Sequence, residues 1–340
     1  MHKTERTSLY FTAPRQVSVR QDLLPEPGRG QALVKTLLSA ISPGTELLVY
    51  RGQFPADLAL DESIGALAGE FAYPLKYGYA AVGQVSALGP EVDPAWLGRM
   101  VFSFHPHESY FLAAPEELLP LPEDLLPEEA AFLPNMETAV NFVMDGAPRI
   151  GERLAVFGQG IVGLLTTSLL ARFPLGSLIT LDLYPLRRRA SLECGAQASL
   201  DPAAPGALEQ ARASFPEGAD LAYELSGSPA ALDQAIAITG FGGRVVIGSW
   251  YGQKRASLDL GGSFHRSRIR LISSQVSSLA PELTGRWTKP RRLEVAWEML
   301  RQVRPGKFIT HRYPLEQAAE AYRLLDQDPG GAIQVIFVYP

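Results

Sequence analysis

Cysteine is almost absent from this sequence: Cys194 is the only one in 340 residues. That excludes an intrachain disulfide and any zinc site built from several thiolates. An apolar run of roughly 20 residues, the length a helix needs to span a bilayer, is missing too. The opening stretch MHKTERTSLYF lacks the apolar core of a secretory leader. A cytoplasmic protein without membrane contact is expected. Positive charge is not in surplus either, because 31 Lys and Arg face 36 Asp and Glu for a net charge of -5. No global field therefore draws nucleic acid or an anionic membrane. The one basic run, 286–292 (RWTKPRR), reads as a solvated loop or as a contact for an acidic ligand. Internal repeats and low-complexity segments are also lacking.

What is present is enough apolar material for real cores, with 46% of residues hydrophobic and 20% charged. A chain of this length exceeds the usual single domain, so two domains with a cleft between them are expected. The first third reads as β-rich: apolar runs at 31–38, 79–85 and 100–104 alternate with Pro/Gly turns, as in a small irregular barrel. Pro127 followed by two glutamates opens a helix. From Leu154 the character changes to alternating strands and helices. Strands are expected at 153–157, 177–183, 220–225, 244–250 and 269–273. Helices are expected at 161–172, at 185–194 (stopped by Gly195), and from a Ser228 cap to Gly240. Such alternation specifies a doubly wound parallel sheet. Two amphipathic helices, 293–303 and 315–326, precede a last strand at 333–338, which is expected to return to the first domain.

Gly158-Gln159-Gly160-Ile161-Val162-Gly163 matches G-x-G-x-x-G directly after a strand and at the opening of a helix, the context a dinucleotide site requires. Gly158 permits the tight turn, Gly160 removes a side chain where the pyrophosphate approaches, and Gly163 lets the helix lie close. The helix N-terminus offers N–H groups to the phosphates. The next strand ends at Asp182, about 20 residues on, where a carboxylate holds the ribose diol and favours NAD over NADP. The arginines 187–189 oppose that preference, with Arg187 counted among the cofactor contacts. Ser226, just past one later strand, and Gly248, on the next, complete the cofactor set.

With these motifs in place, the chain resembles the medium-chain dehydrogenase/reductase superfamily, the alcohol-dehydrogenase-like proteins, over essentially its whole length. The matching segments include 27–35, 41–47 (ISPGTEL), 78–85, Thr138-Ala139 and the block through Tyr251. The resemblance implies an α/β fold with a GroES-like β-barrel catalytic domain from both chain ends, 1–137 and 278–340, around a Rossmann domain at 138–277. It also implies a homodimer or homotetramer assembled through the coenzyme domain, a small-molecule substrate, and Thr138 against the nicotinamide. The cysteine motif of zinc-dependent members aligns with Pro43-Gly44-Thr45-Glu46, their G-H-E with Gly78-Tyr79-Ala80, and their third ligand with Pro134. NAD without zinc is therefore expected. His105 and His107 alternate in the segment FHPHES with no third ligand in view. ISPGTEL, FHPH, Ser274-Gln275 and the RW…RR stretch are most similar to a zinc-free branch around bacteriochlorophyllide hydroxyethyl dehydrogenase.

Without a metal, a side chain must handle the hydroxyl proton of an alcohol. The resemblance puts Tyr79 at a former ligand position and Thr45 at the hydroxyl that relays protons, with Glu46 fixing local geometry. Tyr79 is either the proton carrier or an aromatic wall, and Thr45 either a relay or a turn residue. His107 is either a base titrating near neutrality or a surface-loop histidine, while Glu137 reads as helix surface. The leading expectation is an NAD-linked dehydrogenase of a secondary alcohol or ketone. An NAD(P)H-dependent enoyl or quinone reductase and a dinucleotide-binding protein without catalysis are the alternatives.

Overall fold

The computed structural model describes residues 5–55, 64–67, 69 and 71–340. Residues 1–4 of the opening stretch and 56–63 of the irregular 50–67 segment lie outside the described residues. The chain divides into two compact units, Met1–Pro134 with Arg304–Pro340, and Asn135–Val303. The sequence places the second crossing near 278. It falls instead at 303, because the long helix after the last parallel strand stays with the second unit.

In the first unit a hairpin, β1 (Glu5–Ala13) and β2 (Gln16–Leu23), precedes β3 (Ala32–Ala40) and a short helix α1 (Pro43–Arg51). Then come β4 (Ala81–Leu88), β5 (Met100–Ser103), β6 (Tyr110–Ala113), β7 (Leu119–Pro120) and the single turn α2 (Pro127–Ala130). A proline near the start of α1 costs it nothing, and Gly52 closes it in the left-handed region (φ 69°).

The second unit begins in α3 (Leu133–Gly146) and alternates: β8 (Arg153–Phe157), α4 (Ile161–Leu170), β9 (Ser177–Leu181), α5 (Pro185–Glu193), β10 (Ala198–Leu200), α6 (Ala207–Ala213), β11 (Ala219–Glu224), α7 (Pro229–Ile238), β12 (Thr239–Ile247), β13 (Arg270–Ser273) and α8 (Lys289–Val303). Its sheet runs β10-β9-β8-β11-β12-β13, all parallel. Counted within the unit this is 3-2-1-4-5-6, the doubly wound order, with the reversal between β8 and β11. The central strands carry side chains buried on both faces, as a covered parallel sheet demands.

The chain then returns through β14 (Ile309–Pro314) and α9 (Ala318–Gln327) to β15 (Gln334–Val338). As expected, β15 rejoins the first unit, lying between β14 and β3 in the order β14-β15-β3-β4-β5-β7, with β6 also on β3. Two local expectations are corrected. Ser228 makes no side-chain cap, and its own N–H is taken by Ser226 Oγ (3.1 Å). The helix after it ends at Ile238, not Gly240, because the chain runs straight into β12. Among the described residues no helix is long and apolar enough to cross a membrane.

Candidate functional site

In the second unit the glycine turn joins β8 to α4. Gly158 has φ +89°, and a Cβ there would lie 2.6 Å from the Ser226 backbone. A Cβ on Gly163 would meet the Gly158 carbonyl oxygen at 2.0 Å. Gly160 is different: the nearest atom to its missing Cβ is Arg187 Nη1 at 4.0 Å, so the approach to the turn is open. The first N–H groups of α4, from Ile161 and Val162 onward, have no intrahelical acceptor and suit an anion.

Gln159, counted from sequence as a cofactor contact, has a different place. Its side chain is fully buried, donating to the Gly158 carbonyl (3.1 Å) and accepting from Thr167 Oγ1 (2.9 Å). It braces the turn from inside. Asp182 is nearly buried and accepts from the backbone N–H of Gln159 (2.6 Å) and Tyr184 (2.8 Å), so its carboxylate is locked beside the turn. Arg187 lies over the Tyr184 ring at 4.8 Å. Burial lowers its pKa from the ordinary value while Asp182 pulls it back. Arg188 is spent locally on the carbonyls of Asp182 (2.8 Å) and Leu183 (2.7 Å) and on Asp201 (3.1 Å).

At the end of β11, buried Glu224 accepts from Ser226 N–H (2.8 Å) and Oγ (2.5 Å) and from Tyr251 Oη (2.7 Å). Gly248 donates its N–H to the Glu224 carbonyl (3.1 Å), and a Cβ there would strike the Phe142 ring at 2.4 Å. Thr138 is half-buried on α3. Glu137 is not helix surface. It is buried in an ion pair with Arg292 (2.8 Å), itself fully buried on α8. The run 286–292 is accordingly no solvated loop: its end enters a helix, and its last arginine is a core residue.

The first unit collects the expected proton-handling side chains around the start of α1. Tyr79 Oη donates to Ser42 Oγ in a short bond and lies 3.2 Å from Thr45 Oγ1. All three residues are half-buried. Ser42 escaped the sequence reading, although the S-P-G-T spelling around a helix start makes it a neighbour of Thr45. Beneath them Glu46 is fully buried, with Oε1 accepting the Ser42 N–H (2.7 Å) and Oε2 accepting Tyr322 Oη (2.5 Å). Burial, with the Glu46 carboxylate beside it, pushes Tyr322 well above its ordinary range.

His107 is not a surface-loop histidine. It has no solvent exposure, and Nε2 lies 3.1 Å from Glu46 Oε2 while Nδ1 lies 2.7 Å from Ser39 Oγ. Ser39 Oγ is in turn 2.8 Å from Tyr339 Oη. A carboxylate only accepts, so Nε2 carries a proton. With the ring neutral, Nδ1 accepts from Ser39, which accepts from Tyr339. Nε2 is spent on Glu46 and Nδ1 on Ser39. His105 goes elsewhere, stacked on Phe111 at 4.1 Å with burial lowering its pKa.

Comparison with known proteins follows the fold. Residues 162–289 match the family model described as zinc-binding dehydrogenase. The chain is 22% identical to the sorbitol dehydrogenase of Bacillus subtilis (strain 168), over 96% of this chain and 95% of that one. It is 25% identical to an uncharacterized zinc-type alcohol dehydrogenase-like protein, YphC, of Escherichia coli (strain K12), over 96% and 98%. The solved structure of 2R,3R-butanediol dehydrogenase from Bacillus subtilis superposes with a TM-score of 0.80 at 19% identity, covering 98% of this chain and 100% of that one.

These matches overturn the expectation of a cofactor set without zinc, because the similarity found is to zinc-type dehydrogenases. Tested for fit, the side chains described above do not form a zinc ligand set. Zinc takes thiolate, imidazole and carboxylate ligands. Here Glu46 and His107 spend their atoms on each other, Tyr322, Ser42 and Ser39. Among the described residues no three His, Cys, Asp or Glu side chains gather for a metal.

Proposed function

We propose that this chain, an NAD(P)-dependent dehydrogenase of the medium-chain dehydrogenase/reductase superfamily, moves hydride between NAD(H) and a secondary alcohol or its ketone. The bonded hydroxyls of Tyr79, Ser42 and Thr45 carry the proton in this reading, and their convergence at the start of α1 is the observation behind it. In the reducing direction, hydride passes from the dihydronicotinamide to the carbonyl carbon. The oxygen takes a proton from a hydroxyl of the cluster, which is refilled from water through its neighbour. Oxidation of the alcohol reverses both transfers. The buried Glu46, fastened by Ser42 N–H, Tyr322 and His107, keeps the first turn of α1 in register and so fixes two of the three hydroxyls.

The polyol and diol names of the similar proteins favour an alcohol substrate over a conjugated enone or quinone. Asp182 beside the glycine turn favours NAD(H), since a 2′-phosphate next to a locked carboxylate is repelled. The test is NAD(H)-linked turnover on a panel of polyols and secondary alcohols, with NADH and NADPH titrated separately. NADH is expected to bind more tightly than NADPH. Tyr79→Phe and Ser42→Ala are each expected to lower kcat about 10²-fold or more, the scale of general acid–base catalysis, with NADH affinity kept. Near-full turnover in both variants sinks the proton route.

A further inference from the structure

The basic run and the Ser274-Gln275 pair are singled out by the sequence, yet neither enters the proton chemistry. In the structure they meet. The chain leaves β13 with Ser274 N–H bonded to the Ile247 carbonyl (3.0 Å) and continues through 275–278 without regular structure. Fully buried Arg292 donates to the carbonyls of Val276, in a short bond, and Ser278 (3.1 Å). Its remaining bonds go to α3: Nε and Nη2 to Glu137 Oε1 (3.1 and 2.8 Å) and Nη1 to Asn141 Oδ1 (2.5 Å). Asn141 Nδ2 reaches Ser274 Oγ (3.0 Å), and Ser274 Oγ donates to Asp145 Oδ2 (2.5 Å). The guanidinium thus fastens Val276 and Ser278 to α3, while Asn141 and Asp145 of the same helix hold Ser274.

A buried ion pair is a poor source of stability, because its desolvation cost rivals its attraction. What it does well is hold a geometry. The geometry held here lies at the carboxyl end of the sheet's second half, β11–β12–β13. In a doubly wound sheet each half binds one mononucleotide beyond the carboxyl ends of its strands. The glycine turn assigns the adenosine half to β8–β10, which leaves the nicotinamide half to β11–β13.

We infer that Arg292 is a positioning residue for the nicotinamide half of the coenzyme: through Val276 and Ser278 it sets the backbone after β13 against which that half rests. The inference rests on the dinucleotide reading above. Its test compares the binding of NADH with that of ADP-ribose, which lacks the nicotinamide, in the wild-type protein, in Arg292→Lys and in the double variant Glu137→Gln/Arg292→Met. Lysine keeps the charge against Glu137 but loses the fork that spans two carbonyls. The double variant leaves no unpaired buried charge, and either variant carries the test if the other fails to fold. NADH is expected to bind about tenfold more weakly in the variants, the scale of a lost charge-assisted contact, with ADP-ribose affinity unchanged. If both ligands weaken in parallel, or neither does, Arg292 is a structural residue only and the inference fails. A wild-type protein that binds neither ligand overturns the dinucleotide reading itself, and the inference with it.

Discussion

At the residue scale, spatial demands explain identities that the spelling leaves open. Gly78 has φ +119°, and a Cβ there would sit 2.7 Å from the His107 ring. That ring cannot retreat without breaking its bonds to Glu46 (3.1 Å) and Ser39 (2.7 Å), because it is packed edge-on against Phe337. Gly78→Ala is therefore expected to lose about 1–3 kcal/mol, the range for a strained backbone position, read as a lower midpoint in chemical denaturation. It should also lower turnover through the loosened Glu46, whereas an alanine tolerated on both counts would show the His107 brace to be slack. Tyr79 and Thr45 were legible as candidates from their alignment. Ser42 and the burial of His107 were not, because neither hydroxyl convergence nor solvent exclusion leaves a spacing in the sequence.

At the element scale, α1 and α9 are joined by charge as well as by apolar packing. Asp326 at the end of α9 accepts from Arg51 Nε of α1 (2.6 Å) and Arg15 Nε of the β1–β2 turn (2.9 Å). Burial pushes the Asp326 carboxyl up, but the two arginines outweigh it and hold its pKa below the ordinary value. Because the folded pKa is depressed, this contribution is present above the ordinary carboxylate range and is lost as pH falls through the folded pKa. Asp326→Asn is expected to cost about 1–2 kcal/mol near neutrality, with the more exposed Arg15 adding little. The gap should narrow as urea unfolding is repeated at pH values falling below the ordinary carboxylate range. A gap independent of pH would assign the cost to packing instead. Strand and helix positions around these elements follow from apolar periodicity and the placement of Gly and Pro. The end of α7 did not, since Gly240 marks a strand rather than a stop.

At the scale of the whole molecule, the two units differ in how they use the chain. Asn135–Val303 is continuous and carries its own cores, one around Phe157, Ile179 and Val245 and one around Val156, Leu178 and Val246. The first unit is split, and it needs β15, whose Val335, Ile336 and Phe337 are fully buried. Residues 133–303 expressed alone are expected to melt cooperatively and to bind NADH within about tenfold of the full chain, as a domain with its own core should. A chain ended at 303 is expected to keep that transition and lose the other. A 133–303 fragment that does not melt cooperatively would show that the second unit does not stand alone.

By itself, the sequence determined the doubly wound unit, the glycine turn at 158–163 and the return of the last strand. Those are local or periodic properties, written in a few glycines, an acidic strand end and alternating apolar runs. Tertiary structure alone decided that Gln159 points inward, that Glu137 and Arg292 pair in the core, and that Ser42 joins Tyr79 and Thr45. It also decided that His107 serves Glu46. Each of these joins residues far apart in the chain or depends on which side of a turn is buried. Burial and hydrogen-bond partnership are properties of packing, which no single segment of sequence encodes.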